Sequence, residues 1–576
     1  GLSPEEVTTA VERLRAAGAG ALVASEAYGV EDPAGELMAM QAAERMAMPA
    51  CAGHELTGLY GLAVRTVTAT LNASILPTAF DTARTVEDAV SRDAPGVPLL
   101  VMRGDGGAAD IAAMRRRPLL TAFSGPAASV TGALRHLSVR DGIVVEVGGT
   151  STNVSVIKGG RPVLSYVRVL DHVTSVRSLD VRVTGVAGGS LIRVRRGGSR
   201  LRVDDVGPRS AHIAGLPYAS FQDATDLAQA EARLVAPRPG DPEAYVVLEG
   251  LSGASAPTLT CAANAIGTVP GDSYASADRD AATAAFEAVG RFLGRNGLEV
   301  AREVVSAAAR KVAAVVDEAA KEHGLREPVI VGLGGGAGAL IPSLAEVLGL
   351  SWEIPEHAEV ISSIGDALSL VRVEVERGMP RPTTEAVSAL VREVEAQAIE
   401  AGASPSTLVV ETTSVPERGA MRAVAFGSVS VEAGVRAAEA PDAYGDALTA
   451  VAAEILGPGA IGAGETEFYA AFVAPGGPDR KRRFAVIDRK GSVALEGEGL
   501  VLAGTGDEVA GSLNDRLPGM VKRFGPVGVA PAVRVVRGPR LVDLSIFSSP
   551  DRALEAAVTE CRLADGHPVL AVLSRD

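Results

Sequence analysis

Residues 141–160, DGIVVEVGGTSTNVSVIKGG, commit the chain to a sheet more firmly than any other stretch. Ile143, Val144, Val145 and Val147 are β-branched, with Glu146 the one interruption, which suits a buried strand. Gly148 and Gly149 then turn the chain, and Val154, Val156 and Ile157 carry a return strand. Thr150, Ser151, Thr152 and Asn153 crowd three hydroxyls and an amide onto the turn. Paired glycines let the backbone approach a ligand closely, and backbone N–H groups with short hydroxyls add donors, so the turn can wrap phosphate. The same residues also suit an ordinary Gly-Gly hairpin, and this stretch alone leaves both readings open.

A second unit of the same kind lies near residues 297–348. Val300, Val304, Ala308, Val312, Val315 and Ala319 fall on one helical face. Gly324 ends that helix, Pro328 blocks its return, and residues 329–331 form a buried strand. The strand runs into Gly334, Gly335, Gly336 and Gly338, and residues 340–348 read as a helix. Strand, glycines and helix make a nucleotide approach, because side chains there would block a purine or sugar lying on the backbone. Glycine turns also follow many parallel strands without any ligand. Upstream, Ser124-Gly125-Pro126 opens a helix with Ser124 as its cap, and a helix N-terminus facing the 148–151 turn would favour phosphate.

Composition excludes several classes. The formal charge of −15 argues against nucleic acid or an anionic membrane as the main partner. No apolar run reaches the length of a membrane span. Cys51, Cys261 and Cys561 are scattered, which gives neither a disulfide framework nor metal spacing and points to a reducing, cytoplasmic setting. Of the seven histidines, His172 and His212 are the candidates for polar work near the glycine turns. Helices and strands alternate along most of the chain, so the fold class is α/β. Expected domains are a partial N-terminal lobe over 1–120, a core lobe over 121–380 with a charged, proline-rich surface insertion near 216–256, a C-terminal α/β region over 381–480, and an appendix over 481–576. The opening Gly1-Leu2-Ser3-Pro4 reads as a domain entered partway through.

Several short motifs in order resemble the hydantoinase/5-oxoprolinase family, in its ATP-dependent hydantoinase A subunit. They are Arg65-Thr66 with Leu71-Asn72-Ala73, Ser124-Gly125-Pro126-Ala127, residues 147–155, Gly188-Gly189-Ser190, residues 206–211, Pro257-Thr258-Leu259-Thr260, residues 334–338 and Ser362-Ser363-Ile364-Gly365. The resemblance covers about 2–377. It implies an actin/hexokinase-like ATPase fold, here with an incomplete N-terminal lobe and an extra C-terminal α/β region. It also implies ATP and Mg²⁺ as cofactors and a small cyclic amide, such as a hydantoin or 5-oxoproline, as substrate.

On that resemblance Gly148, Gly149, Thr150, Ser151 and Thr152, with Ser124 and Gly125, would hold phosphate. Gly334, Gly335, Gly336 and Gly338 would hold the adenosine end, and a side chain at Gly149 would enter the phosphate path. Glu146 and Asn153 stand at the catalytic positions, with Glu146 also the metal ligand. The family pattern is DxGGTSTDVS, so Glu146 replaces one aspartate and Asn153 the other. The family's separate N-terminal hairpin, DxGGTFTD, is absent, which implies a second subunit. The reading is the nucleotide-binding subunit of a cyclic-amide hydrolase. The alternatives are a carboxylase subunit of the acetone carboxylase type, or a non-catalytic nucleotide-binding assembly factor, reactivation factor or scaffold.

Overall fold

A computed structural model describes residues 3–95, 97, 99–136, 139–169, 171–197, 200–428, 445–476, 482–524 and 527–574. The chain folds into two compact units. One comprises Gly125–Leu164 and Leu179–Leu368, and the other Gly1–Ser124, Ser165–Ser178 and Ser369–Asp576.

The unit holding the glycine turns is built on a mixed sheet. Its order is Val181–Thr184, Thr152–Lys158, Gly142–Val147, Val329–Leu333, Trp352–Glu353, with Arg161–Pro162 paired beside Thr152–Lys158. Gly142–Val147 runs antiparallel to Thr152–Lys158, from Gly142 opposite Ile157 to Val147 opposite Thr152. It runs parallel to Val329–Leu333, with Leu333 opposite Glu146. Strand side chains alternate between the two faces, so each face collects its own core. Ile143, Val145, Val147, Val154, Val156 and Ile330 pack with helices Leu259–Ile266, Arg279–Leu293, Gly297–Glu322 and Ala337–Leu348. Val144, Ile157, Val331 and Leu333 face Ala127, Val130, Ala133 and Ile361 on the other side. The hairpin therefore does form a strand pair of a mixed sheet with helices on both faces.

The long helix is capped by Asn296, whose side chain accepts from the Glu299 N–H at 3.1 Å. Its buried face turns slightly from the expected one: Val316 is buried and Val315 is only half-buried. The following helix starts at Ala337, inside the glycine run rather than after it.

The segment near 216–256 is not a surface insertion. Tyr245–Gly250 buries Tyr245, Val246, Val247 and Leu248 and pairs with Glu231–Val235 in a five-stranded antiparallel sheet. Glu231, Arg233 and Glu249 sit at the exposed alternate positions, and Arg233 Nε meets Glu249 Oε2 at 2.7 Å across the strands. Those outward charges gave the stretch its polar look.

The other unit carries a twelve-stranded sheet. It joins Leu100–Met102 and Ala108–Asp110 to Val371–Gly378, Ala420–Gly427 and Val409–Val415, and then to strands drawn from 461–574. The two regions expected at 381–480 and 481–576 thus contribute to one sheet. Helices Thr384–Glu400, Gly506–Arg516 and Pro550–Arg562 supply much of its core. Among the described residues no helix is long and apolar enough to cross a membrane.

Candidate functional site: a junction of three glycine turns

The parallel register of Gly142–Val147 and Val329–Leu333 brings both strands out at the same edge of the sheet. The two exits touch. The Gly336 N–H donates to the Val147 carbonyl at 2.9 Å. A Cβ at Gly336 would lie 2.8 Å from Val147 Cγ1 and 3.0 Å from the Gly148 carbonyl oxygen. A third turn closes the junction, because Gly188 and Gly189 N–H donate to the Gly148 and Gly149 carbonyls, each at 3.1 Å. Thr260 then fixes Gly188, donating to its carbonyl through both N–H and hydroxyl at 2.9 Å. Three backbones this close leave no room for side chains, so the glycines at 188 and 336 are explained by the junction itself.

Within the 148–151 turn, Gly148 N–H donates to the Ser151 carbonyl at 3.1 Å. The N–H groups of Gly149, Thr150 and Ser151 have no acceptor among the described residues. Consecutive backbone N–H groups left open in a turn are an anion-binding arrangement. Thr150 Oγ1 lies 2.9 Å from Ser210 Oγ, which ties the turn to the segment bearing His212. Ser151 is half-buried with its hydroxyl uncommitted. Thr152 does not join it: the side chain is fully buried and its hydroxyl donates to the Val186 carbonyl at 2.5 Å.

Glu146 and Asn153 face each other across the two strands. Asn153 Nδ2 donates to Glu146 Oε2 at 3.0 Å, and Ser129 Oγ donates to Oε1 at 2.5 Å. Ser129 lies more than a turn into the helix that opens at Ser124. The helix therefore reaches Glu146 through that residue rather than through its N-terminus. Ser124 is the first helical residue rather than the cap before it, and the unit boundary falls between Ser124 and Gly125. Gly125 is exposed, with open space where a Cβ would point.

The rest of the glycine run packs inward. Gly334, at φ +82°, sits against Val147 and donates to the Ala358 carbonyl at 2.8 Å. Gly335 lies under the Tyr274 ring, and the space beside Gly338 is taken by Ser273. A side chain at Gly149 would meet the His212 imidazole, with Nδ1 2.5 Å from the Cβ position, and not an open phosphate path. His212 is exposed and packs edge-on to Tyr218, ring centres 5.6 Å apart. Burial raises the Tyr218 phenol well above its ordinary pKa, with a further contribution from Cys261. His172 belongs to the other unit. Ser129 and Tyr218 carried no sequence signal of their own, and Ser210 only its place in the 206–211 motif, because only the folded register brings them to the turn. Asp180, Glu322 and His323 group their ligand atoms within 4.8 Å elsewhere in the unit. Arg182 already pairs with both carboxylates there, at 3.3 Å and 2.5 Å.

A family model described as hydantoinase/oxoprolinase matches residues 65–375. No curated protein matches the chain. A nucleotide-free structure of acetone carboxylase, from work on ATP-dependent acetone carboxylation, aligns with a TM-score of 0.50 at 17% identity, covering 87% of this chain and 74% of that one. The ATP-dependent caprolactamase from Pseudomonas jessenii aligns with a TM-score of 0.55 at 20% identity, covering 77% of this chain and 70% of that one. At these identities the likeness is one of fold.

Proposed function

This chain belongs to the hydantoinase/oxoprolinase family, and from that premise we propose that it binds ATP at the 148–151 turn and acts on a small cyclic amide. The observation that carries the reading is the run of open N–H groups at Gly149, Thr150 and Ser151, at the carboxyl end of two parallel strands. Crevices at the carboxyl ends of such strands are where α/β sheets take ligands. Likeness to two ATP-dependent enzymes supports the same reading, together with an actin-like ATPase fold.

The residues present fit a nucleotide phosphate. Open N–H groups and the Ser151 hydroxyl bind its oxygens, and the Thr150–Ser210 pair holds the turn in shape. They also fit one hydrated Mg²⁺, held through Glu146, because carboxylates in phosphoryl-transfer sites commonly keep the ion's waters in place. Ser129 and Asn153 orient that carboxylate. When bound, ATP supplies the phosphoryl group that activates an amide oxygen toward attack by water. Gly334 and Gly336 serve the site by letting the strand exits close up, and Gly335 and Gly338 admit Tyr274 and Ser273, rather than accepting adenosine.

Phosphate release from ATP, measured with and without hydantoin and 5-oxoproline in Mg²⁺, tests the proposal. The expected result is nucleotide binding that requires Mg²⁺ and phosphate release that rises with one of the cyclic amides. Absence of nucleotide binding by calorimetry would sink it.

A further inference from the structure

His212 stands where nothing in the packing requires a histidine. Its nitrogen-bearing edge faces Gly149, with Nδ1 2.5 Å and Nε2 3.2 Å from the position a Cβ there would take. Neither nitrogen has a hydrogen-bond partner among the described residues, and the side chain is exposed. The ring is nonetheless fixed in place. Tyr218 meets it edge-on at 66°. Its backbone is anchored by Ser210, which bonds Thr150 at 2.9 Å and accepts from the Ile213 N–H at 3.3 Å. The phosphate turn and the imidazole are thus tied together through one pair of hydroxyls.

The junction also lacks a fixed cation. None of residues 146–153, 185–190, 210–218 and 334–338 is Lys or Arg. The neighbouring charged groups are engaged elsewhere. Arg209 holds Asp241 through two bonds of 2.7 and 2.6 Å, and Glu146 is held by Ser129 and Asn153. Thr150 and Ser151 carry no charge, and the Tyr218 phenol stays protonated because burial raises it. Beside the Mg²⁺ that would accompany the nucleotide, the imidazole of His212 is the one side chain among the described residues 146–153, 185–190, 210–218 and 334–338 that can bring positive charge to a bound polyphosphate.

We infer that His212 is a phosphate-binding residue of this site, contacting the terminal phosphate of ATP as imidazolium; the inference rests on reading the 148–151 turn as the phosphate site. A contact from imidazolium is charge-assisted and one from neutral imidazole is not, so comparison at two pH values separates them.

The test is calorimetry of ATP with Mg²⁺ at about pH 6 and about pH 8, on the wild type, His212→Gln and His212→Gly. Glutamine keeps a donor and loses the charge. The nucleotide's own protonation is common to all three proteins and cancels in the ratio of affinities. His212→Gln should bind on the order of tenfold more weakly than wild type at the lower pH and within about twofold at the higher, the scale of one charge-assisted bond. His212→Gly should be at least as weak. Equal affinities for wild type and His212→Gln at both pH values, with wild type binding well, would overturn this inference and leave the turn intact as a phosphate site. Tighter binding by His212→Gly would make the ring an obstruction and overturn it too. No binding by the wild type at either pH would remove the phosphate turn and His212's role with it.

Discussion

Both carboxylate oxygens of Glu146 are met by neutral donors, Ser129 on one side and Asn153 on the other. An aspartate at 153 would turn the second of these contacts into two carboxylates facing each other. Asn153→Asp should therefore cost about 1–3 kcal/mol in the absence of metal, since a donor is lost and like charges meet. Millimolar Mg²⁺ should recover much of that loss, because a cation between the two acids restores the balance. Denaturant melts of both proteins with and without Mg²⁺ would decide it. An unchanged midpoint for the metal-free variant would mean that the Asn153–Glu146 bond does not persist in solution.

At the scale of elements, the site depends on two strand exits being allowed to touch. Gly336→Ala puts a Cβ 2.8 Å from Val147 Cγ1 and 3.0 Å from the Gly148 carbonyl. The strain should amount to about 1–3 kcal/mol and should push the 148–151 turn out of shape. A lower melting midpoint together with weaker ATP binding is the expected result, and unchanged binding would detach the glycine run from the site. The strands themselves were legible: Ile143–Val145 and Val329–Val331 are β-branched runs that only a buried strand uses well. What they would do to each other was not. Contact between their exits follows from the Leu333–Glu146 register, and register is set by packing between segments far apart in the chain. His212 over Gly149 was hidden for the same reason. Tyr245–Leu248 was hidden for a different one: its apolar run is only four residues long and lies in a region crowded with proline and acid.

On the scale of the whole molecule, the twelve-stranded unit contains a largely buried ionic cluster whose members come from four separate stretches of the chain. Arg103 Nη2 meets Asp105 at 2.8 Å, and Arg372 bonds Asp105 and reaches Glu374 at 2.9 Å. Arg422 holds Glu376 at 2.7 Å, and the Tyr166 hydroxyl donates to the same carboxylate. Burial alone would raise Asp105 and Glu374, but the surrounding guanidinium groups overcome it and hold both below their ordinary pKa. A depressed carboxylate contributes stability that is present above its unfolded pKa, about 4, and lost as pH falls through its folded pKa. Melting midpoints of this unit should therefore drop as pH is lowered below about 4. Asp105→Asn should cost about 3 kcal/mol or more at neutral pH by leaving buried arginines uncompensated. A flat midpoint between about pH 5 and pH 3 would show that the cluster does not hold the fold. The sheet that surrounds this cluster also sets a timetable. Ala108–Asp110 has Val371–Gly378 as its parallel neighbour, and that neighbour leaves the ribosome about 260 residues later. At about 5–20 residues per second the early hairpin waits for tens of seconds with an open edge, while the glycine-junction unit is translated in full. During synthesis the open edge of Ala108–Asp110 is therefore a place for mispairing, and a holdase that covers that strand should raise yield.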